Sequence, residues 1–333
     1  MDKKKFVFTL LADILIAGIA LCVFSYFHHV RVLWGISGDT GDTGVVIPKP
    51  EQPGTEPPYT ADVDEGPGYD DSGQFGAKFG MLFAQDESEY VNTADTYKSR
   101  DIYITLSENH ILVNDQPVQY FVYDIYVRNI ENFYTSARMQ GRQDFSEMLS
   151  ELPVMPVAAV SGDFCGNSNA AREVVRNGEE LRASDYITLD LCVLGWDGDM
   201  TTFTPSEYSH EAMLQLQPYQ VWNFGPALVK DGQALTDFSA RNDIGGRNPR
   251  IAVGMVEPGH YIFVCVDGRS DDSVGCKLGV LADICYQAGA TEAYNLDGGA
   301  SAHAYFNGEY IRYSDPDKSR NIYDVLCIGE ISE

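Results

Sequence analysis

Short apolar runs, each followed by a cluster of Gly, Asp, Asn or Arg, recur from residue 102 to the end of the chain and limit its possible folds. Ile102, Ile104 and Leu106 alternate with polar neighbours, which is the period of a half-buried strand. Other runs of strand length are rich in β-branched and aromatic residues, and they lie at 120–127, 154–160, 187–194 and 261–266. The pattern therefore predicts a fold in which strands outnumber helices.

Helical spacing is confined to two segments. Residues 144–152 form one of them, and residues 278–288 form the other, with Gly289 placed as a C-cap. We therefore expect an α+β fold: a single strand-rich domain over residues 100–333, with a mixed sheet, few helices and its polar motifs on turns that follow strands.

The N-terminus carries a separate signal. Lysines at 3–5 precede a nearly unbroken apolar run, Phe6 to Phe27, whose only charge is Asp13. Its length matches the ~20 residues that cross a bilayer as a helix. Because basic residues stay on the cytoplasmic side, the lysines predict a cytoplasmic stub at 1–5, a transmembrane signal anchor at 6–34 and an extracellular remainder. A cleaved signal peptide is the alternative, but His28 and Arg31 follow the run where a small-residue cleavage site would be required.

From Gly35 to about Phe75 the sequence is rich in Pro, Gly, Asp and Glu and shows almost no apolar periodicity, and residues 75–99 are expected to form a partly ordered approach to the domain. Residues 35–99 therefore predict a flexible stalk between the anchor and the domain. The whole chain of 333 residues has a formal net charge of −26. Such a chain repels phosphate backbones, which argues against a nucleic-acid partner. Six of the seven cysteines follow the apolar run at wide spacings, and buried thiols fit them better than disulfides.

Four polar segments stand out because each follows an apolar run. They are residues 158–167, 222–232, 245–254 with the Asp-Gly-Arg at 267–269 after the next run, and 294–301. Glycines at such places let the backbone approach a ligand closely, and a carboxylate at a strand end points in a fixed direction.

In this order the segments resemble the phosphodiester glycosidase family, which includes N-acetylglucosamine-1-phosphodiester alpha-N-acetylglucosaminidase and bacterial proteins associated with exopolysaccharide. The family's motifs match at Ser161–Cys165, Gly225–Gly232, Pro249–Gly254, Asp267–Arg269 and Asn295–Ser301. Four positions depart from the usual residue: Ser161 replaces Asn, Ile251 replaces Thr, Ala300 replaces Gly, and Ala302 follows Ser301 where Thr is common. The resemblance implies a hydrolase that removes a sugar from a sugar-1-phosphodiester in a surface polysaccharide or glycoconjugate.

The residue types suit that reaction. Breaking a sugar C1–O bond passes through an oxocarbenium-like state and generally needs two carboxylates, for which Asp163, Asp267 and Asp297 are the candidates. A planar guanidinium that binds two oxygens would hold the phosphodiester, and Arg250 and Arg269 lie in the matching motifs.

The remaining predicted substrate-binding residues share the last motif. The backbone amides of its glycines could form a nest for an anion. The predicted set is Asn295, Gly298, Gly299 and Ser301.

Other interpretations stay open. Each aspartate could cap a turn, and the arginines could form structural ion pairs with them. No cofactor is expected, but a divalent cation held by Asp163, Asp267 and Asp297 would make the protein a metal-dependent phosphodiesterase. A carbohydrate-binding surface protein without turnover is a third possibility. His303 is interpreted as a surface residue, and residues 176–178 and 230–232 as hairpin turns without a catalytic role.

Overall fold

A computed structural model describes residues 68–166, 172–312 and 320–331. The described residues form nineteen strands: β1 Val91–Asn92, β2 Thr96–Lys98, β3 Ile102–Val113, β4 Gln116–Val127, β5 Phe133–Ala137, β6 Val154–Ser161, β7 Val174–Arg176, β8 Glu179–Arg182, β9 Leu191–Gly195, β10 Met200–Phe203, β11 Pro218–Trp222, β12 Ala227–Lys230, β13 Gln233–Ala234, β14 Arg250–Glu257, β15 His260–Val266, β16 Glu292–Asn295, β17 Ala304–Phe306, β18 Glu309–Arg312 and β19 Asp324–Ile331.

Helices are few and short, as the sequence pattern predicts. Four α-helices lie in the described residues: α1 Gly76–Phe79, α2 Phe145–Ser150, α3 His210–Gln215 and α4 Leu278–Gln287. Single 3₁₀ turns occupy Gly80–Leu82, Glu87–Glu89, Ile130–Asn132, Ser239–Ile244 and Gly299–Ser301.

The strands form three sheets. The largest has nine strands in the order β1-β2-β3-β4-β15-β14-β16-β12-β13. The second has the order β10-β9-β11-β7-β8, and the third has the order β18-β17-β6-β19-β5. Every strand pair in the described part of the chain is antiparallel, so the prediction of a mixed sheet is wrong. The physical reason is that parallel pairs need crossover connections, for which the described chain has few helices.

The hairpin of β3 and β4 contains the longest strands of the large sheet and lies beside its central strand, β15. Its twelve-residue strands pair from Ile102 opposite Val127 to Val113 opposite Gln116. Asn114 and Asp115 connect them with φ of 52° and 58°, the left-handed conformation that a type I′ turn requires.

Aromatic side chains fill the space where the three sheets pack together. The ring of Phe133 on β5 lies 5.8 Å from that of Trp222 on β11, measured between centroids. It lies 5.6 Å from the rings of both Tyr261 and Phe263 on β15. One residue of the third sheet therefore touches the second and the first, which joins them in one core.

The folded domain begins before residue 100, which corrects the predicted end of the stalk. Phe75, Phe79 and Phe83 are buried in the main core, and β1 and β2 extend the large sheet from β3. Arg128 donates to the backbone carbonyls of residues 70 and 72, and its guanidinium lies 4.8 Å from the ring centroid of Phe83. Phe75, Phe79 and Phe83 recur at helical spacing, but the run is only nine residues long and is interrupted by Gly76 and Gly80, so the sequence pattern left this segment in the stalk.

The predicted anchor at residues 6–34 lies outside the described residues, as does most of the predicted stalk. Among the described helices, none is long and apolar enough to cross a membrane. All described residues fall in one compact unit, and all six of its cysteines are buried.

Candidate functional site

Backbone hydrogen bonds bring three of the polar motifs together at the ends of their strands. The Asp297 amide donates to the Gly162 carbonyl at 3.0 Å, which joins the end of β16 to the end of β6. The Gly299 amide donates to the Pro249 carbonyl at 2.8 Å, just before β14 begins. The three segments therefore form one site, with Asp297 at their junction.

Asp297 is partly buried at this junction. Burial raises the pKa of its carboxyl above the usual range, while the Ser301 hydroxyl, Arg320, the Gly298 amide and Arg142 act in the opposite direction. The carboxyl accepts a 2.9 Å hydrogen bond from its neighbour's amide through Oδ1. A carboxyl group with a raised pKa is suited to proton transfer.

Three exposed arginines surround Asp297. Arg142 and Arg320 act on its charge, as their effect on its pKa shows. Arg269 lies beside Gly299, two residues after Asp297, with Nη2 only 2.9 Å from the position that a Cβ on Gly299 would take. The excess of positive charge over a single carboxylate makes this cleft suited to an anionic ligand.

Arg269 has an unusual backbone conformation. Its φ is 68°, in the left-handed region that residues other than glycine seldom adopt. Its Nη2 donates to Asn248 Oδ1 at 2.8 Å, which fixes the guanidinium over the 298–299 loop. Conformational strain of this kind concentrates at functional sites, and here it directs a charged group toward the cleft.

Two aromatic rings form part of the same rim. The guanidinium of Arg142 lies 4.9 Å from the ring centroids of both Phe164 and Tyr323, and these two rings meet edge to face at 5.0 Å. The stacking holds a flexible side chain in place while leaving it exposed.

Asp267 is the second carboxylate with access to solvent. Its Oδ1 accepts from Arg312 Nε at 2.7 Å and from the Gly268 amide at 2.8 Å. Its side chain is 32% exposed, so a ligand can reach it.

Asp163 does not reach the cleft, contrary to its predicted catalytic role. Its side chain is fully buried, with Oδ1 3.1 Å from Arg176 Nη2 and Oδ2 2.9 Å from the Asn223 amide. The same Nη2 donates to Asp324 Oδ2 at 2.8 Å. Burial and the nearby Asp163 charge raise the pKa of Asp324, whereas Arg176 lowers it. The three side chains form a buried ion network beneath the site, which is the structural interpretation that the sequence left open for Asp163.

The sequence predicted only that Arg176 begins a hairpin turn. The turn itself is confirmed, because Asn177 and Gly178 connect β7 and β8 with φ of 52° and 80°. The preceding arginine side chain, however, lies inside the protein and is 3% exposed. It is the counter-ion of Asp163 and Asp324, which lie 13 and 148 residues away in the chain.

Arg250, predicted as a phosphate clamp, is also buried, and the structure does not place it as an exposed clamp. It is 3% exposed, and its Nε donates to the Cys276 carbonyl at 3.2 Å. Its Nη2 donates to the carbonyls of Ile244 and Gly246, each at 2.6 Å. Arg250 therefore supports the 244–246 turn beside the site.

The predicted amide nest does not form, because both amides already have acceptors. The Gly298 amide donates to Asp297 and the Gly299 amide to Pro249. Glycine is nevertheless required at 298, where a Cβ would lie 2.7 Å from the Pro249 carbonyl oxygen. The motif's glycines thus permit close backbone packing.

The other two residues of this motif are buried. Asn295 is fully buried and its Nδ2 donates to the Gly225 carbonyl at 2.8 Å, so it holds two motifs together and does not face the cleft. Ser301 is 1% exposed, and its hydroxyl lowers the pKa of the Asp297 carboxyl. His303, which the sequence placed on the surface, is 1% exposed and stacks on Phe145 at 5.2 Å. Burial lowers its pKa to about 4.

Two clusters of potential metal ligands lie in the described residues, and neither combines Asp163, Asp267 and Asp297. One consists of Asp163, Cys165 and Asp324, where the Arg176 guanidinium already supplies the positive charge. The other consists of Glu173, Glu180 and His210, on the second sheet. The three aspartates therefore do not converge as a shared cation site.

Sequence reasoning missed the arginines at 142 and 320 and the aromatic rings at 164 and 323. A weak signal existed, because Phe164 follows Asp163 directly in the first motif and Arg320 precedes β19 in the closing segment. Arg142 had no such signal in the sequence, since it lies in a polar stretch before α2 that matches no motif.

Comparisons with known proteins identify the family and the fold. A sequence profile of the phosphodiester glycosidase family matches residues 155–329. The SPbeta prophage-derived uncharacterized protein YomE of Bacillus subtilis is 29% identical over 152 residues. That match covers 45% of this chain and 24% of the relative, so the matched part spans about a quarter of the relative's length.

Two solved structures share the fold. The catalytic domain of zebrafish N-acetylglucosamine-1-phosphodiester alpha-N-acetylglucosaminidase, auto-inhibited by its pro-peptide, superposes with a TM-score of 0.57 at 20% identity, over 72% of this chain and 86% of that one. A hypothetical protein from Synechocystis gives a TM-score of 0.54 at 12% identity, over 71% of this chain and 64% of that one.

Proposed function

Because the chain belongs to the phosphodiester glycosidase family, we propose that it hydrolyses the bond between the anomeric carbon of a sugar and the phosphate of a sugar-1-phosphodiester. One observation carries the proposal: Asp297, a carboxyl group with a raised pKa, lies among three exposed arginines. A phosphodiester is a permanent anion, and hydrolysis at its sugar carbon needs a proton donor beside that anion.

The arginines bind the phosphate. Arg269 offers a planar fork whose position is fixed by Asn248, and Arg142 is fixed by its two aromatic neighbours. Positive charge beside the leaving phosphate also stabilises the negative charge that develops as the C1–O bond breaks.

Asp297 serves as the general acid. Its proton passes to the phosphate oxygen as the C1–O bond breaks, and positive charge develops at the anomeric carbon. Asp267 is the second carboxylate, which accepts a proton from water as the water oxygen bonds to C1. Arg312 keeps it oriented through the bond to Oδ1. The products are the free sugar and a phosphomonoester.

We place the substrate outside the cell, in a surface polysaccharide or glycoconjugate. The apolar run at residues 6–27 and the lysines before it support a single-pass anchor with the catalytic domain on the extracellular side. A domain tethered there would meet phosphodiester-linked sugars of the cell surface.

The proposal is tested by Asp297→Asn assayed on a synthetic sugar-1-phosphodiester. Asn has nearly the same shape and keeps turn hydrogen bonds but cannot donate an acid proton, so turnover should fall ~100- to 10,000-fold with the melting temperature nearly unchanged. Asp237→Asn is the matched control, because Asp237 is an exposed turn residue that caps the Ser239 amide at 2.9 Å. Wild-type turnover by Asp297→Asn would refute the assignment.

The bond that breaks is identified by running the wild-type reaction in ¹⁸O-labelled water. Attack at the anomeric carbon places the label in the sugar. Label recovered in the phosphomonoester would mean attack at phosphorus and would replace the glycosidase proposal with a phosphodiesterase.

A further inference from the structure

A second group of chemically active side chains lies on the five-stranded sheet of β7 to β11. Glu173 directly precedes β7, Glu180 lies on β8 and His210 is the first residue of α3. His210 Nδ1 is 3.3 Å from Glu173 Oε2, and its Nε2 is 3.6 Å from Glu180 Oε2. One ligating atom from each of the three lies within 4.8 Å of those of the others.

The Glu173 carboxylate points to what this group binds. Its side chain is fully buried, and Oε2 accepts from the Ser184 amide at 2.9 Å and from the Tyr208 hydroxyl at 2.7 Å, besides facing His210. Its Oε1 is equally buried, yet no donor among the described residues reaches it. No lysine or arginine of the described chain pairs with this carboxylate.

A buried carboxylate oxygen without a donor costs free energy, so a native structure normally provides it with a hydrogen bond or a cation. The buried pair Asp163 and Asp324 shows the contrast within the same molecule, because Arg176 lies between those two carboxylates. At Glu173, no lysine or arginine among the described residues takes the corresponding place, and His210 is the neighbouring basic group.

We propose that Glu173, Glu180 and His210 bind one divalent transition-metal ion of the Zn²⁺ class. One imidazole nitrogen and two carboxylates are ligands that Zn²⁺ accepts, whereas Ca²⁺ and Mg²⁺ prefer oxygen ligands alone. Three protein ligands leave the fourth tetrahedral position to water.

The ion would clamp the start of α3 to the hairpin of β7 and β8. None of its three ligands is among the residues assigned to the proposed catalytic cleft. Its role is to hold the second sheet together, since a metal that binds only the folded state stabilises it by mass action.

The test is titration of the purified, chelator-treated full-length protein with ZnCl₂ by isothermal calorimetry, together with metal analysis after dialysis. The expected result is one Zn²⁺ per chain and a melting temperature that rises with Zn²⁺ concentration. Absence of binding, or tighter binding of Ca²⁺ than of Zn²⁺, would overturn the proposal.

Two variants assign the ligands. His210→Gln and Glu180→Gln should each weaken Zn²⁺ binding at least ~100-fold, because even partners behind the direct ligands contribute ~10- to 100-fold. Glu180 is 40% exposed, so Glu180→Gln should fold. It therefore tests the site even if His210→Gln unfolds. His110→Gln is the matched control, since His110 faces Glu108 at 3.0 Å in a fully solvated pair. Unchanged binding in both test variants, or equal loss in the control, would refute the site.

Discussion

Arg269 and Arg250 separate two roles that the same residue type can take. Arg269 is exposed and held over the 298–299 loop, whereas Arg250 is buried and bonded to three backbone carbonyls. Lysine keeps the charge at either position but loses the planar fork.

We therefore expect opposite outcomes from the two Lys substitutions. Arg269→Lys should raise KM or lower kcat for the phosphodiester with little change in the free energy of unfolding. Arg250→Lys should lower that free energy by roughly 1.5–3 kcal/mol, the range for hydrogen bonds to a charged group. Urea unfolding and steady-state kinetics on both variants measure this. Loss of activity without loss of stability in Arg250→Lys would restore Arg250 as a phosphate ligand.

From the sequence these two arginines could not be told apart. Each lies in a family motif at one end of a strand, and burial is decided by where distant segments pack. The same reason explains the burial of Asp163. Its counter-ion Arg176 lies 13 residues away in the chain, and Asp324, the other partner of Arg176, lies 148 residues from that arginine. Asp297 and Asp267 were predicted within reach of solvent because their motifs end strands, and the structure places both there.

At the scale of elements, α4 contains a charge that opposes folding. Asp283 is partly buried on this helix, and burial raises its pKa to about 6. Its folded-state pKa lies above the ordinary value of 3.8, so the folded protein binds the proton more tightly. The contribution of Asp283 to the free energy of unfolding is therefore fully present below pH 3.8 and is lost as the pH rises through about 6.

Asp283→Asn removes that charge and should raise the free energy of unfolding at pH 7 by up to about 2 kcal/mol, after allowance for partial exposure. It should also flatten the pH dependence of stability between about pH 4 and 6. Glu147→Gln on the exposed side of α2 is the control and should change neither quantity. Denaturant unfolding across pH measures both, and a destabilised Asp283→Asn protein would contradict the argument.

The apolar periodicity of the sequence predicted the bounds of several strands and one helix, but it did not predict which strands pair with each other. The predicted segments 154–160, 261–266 and 278–288 correspond to Val154–Ser161, His260–Val266 and Leu278–Gln287. Local patterning carries no information about which strands pair, so the antiparallel arrangement of β15 beside β4 followed only from the structure.

For the whole molecule, the start of the folded domain has a measurable consequence. A chain that begins at residue 68 retains Phe75, Phe79 and Phe83 and should fold with full activity, and it should remain in the soluble fraction. A chain that begins at residue 100 loses three core aromatic side chains, each worth about 3–5 kcal/mol when truncated to Ala, and should not fold. Thermal melting by circular dichroism compares the two.

The full-length chain should sediment with membranes if residues 6–34 form the proposed anchor. Recovery of a folded protein from the chain that begins at residue 100 would restore the predicted stalk boundary. Release of the full-length protein into the medium with its first 34 residues removed would instead support a cleaved signal peptide.

The position of β19 determines when this protein can finish folding. The strand lies between β6 and β5 and begins at Asp324, so the third sheet joins residues 154–161 to the last segment of the described chain. The buried ion network under the cleft also needs that aspartate. The catalytic cleft therefore cannot assemble until residues 324–331 have left the ribosome or the translocation channel. Since closure over such a long sequence separation is slow, β5 and β6 lack their shared partner strand until late in folding.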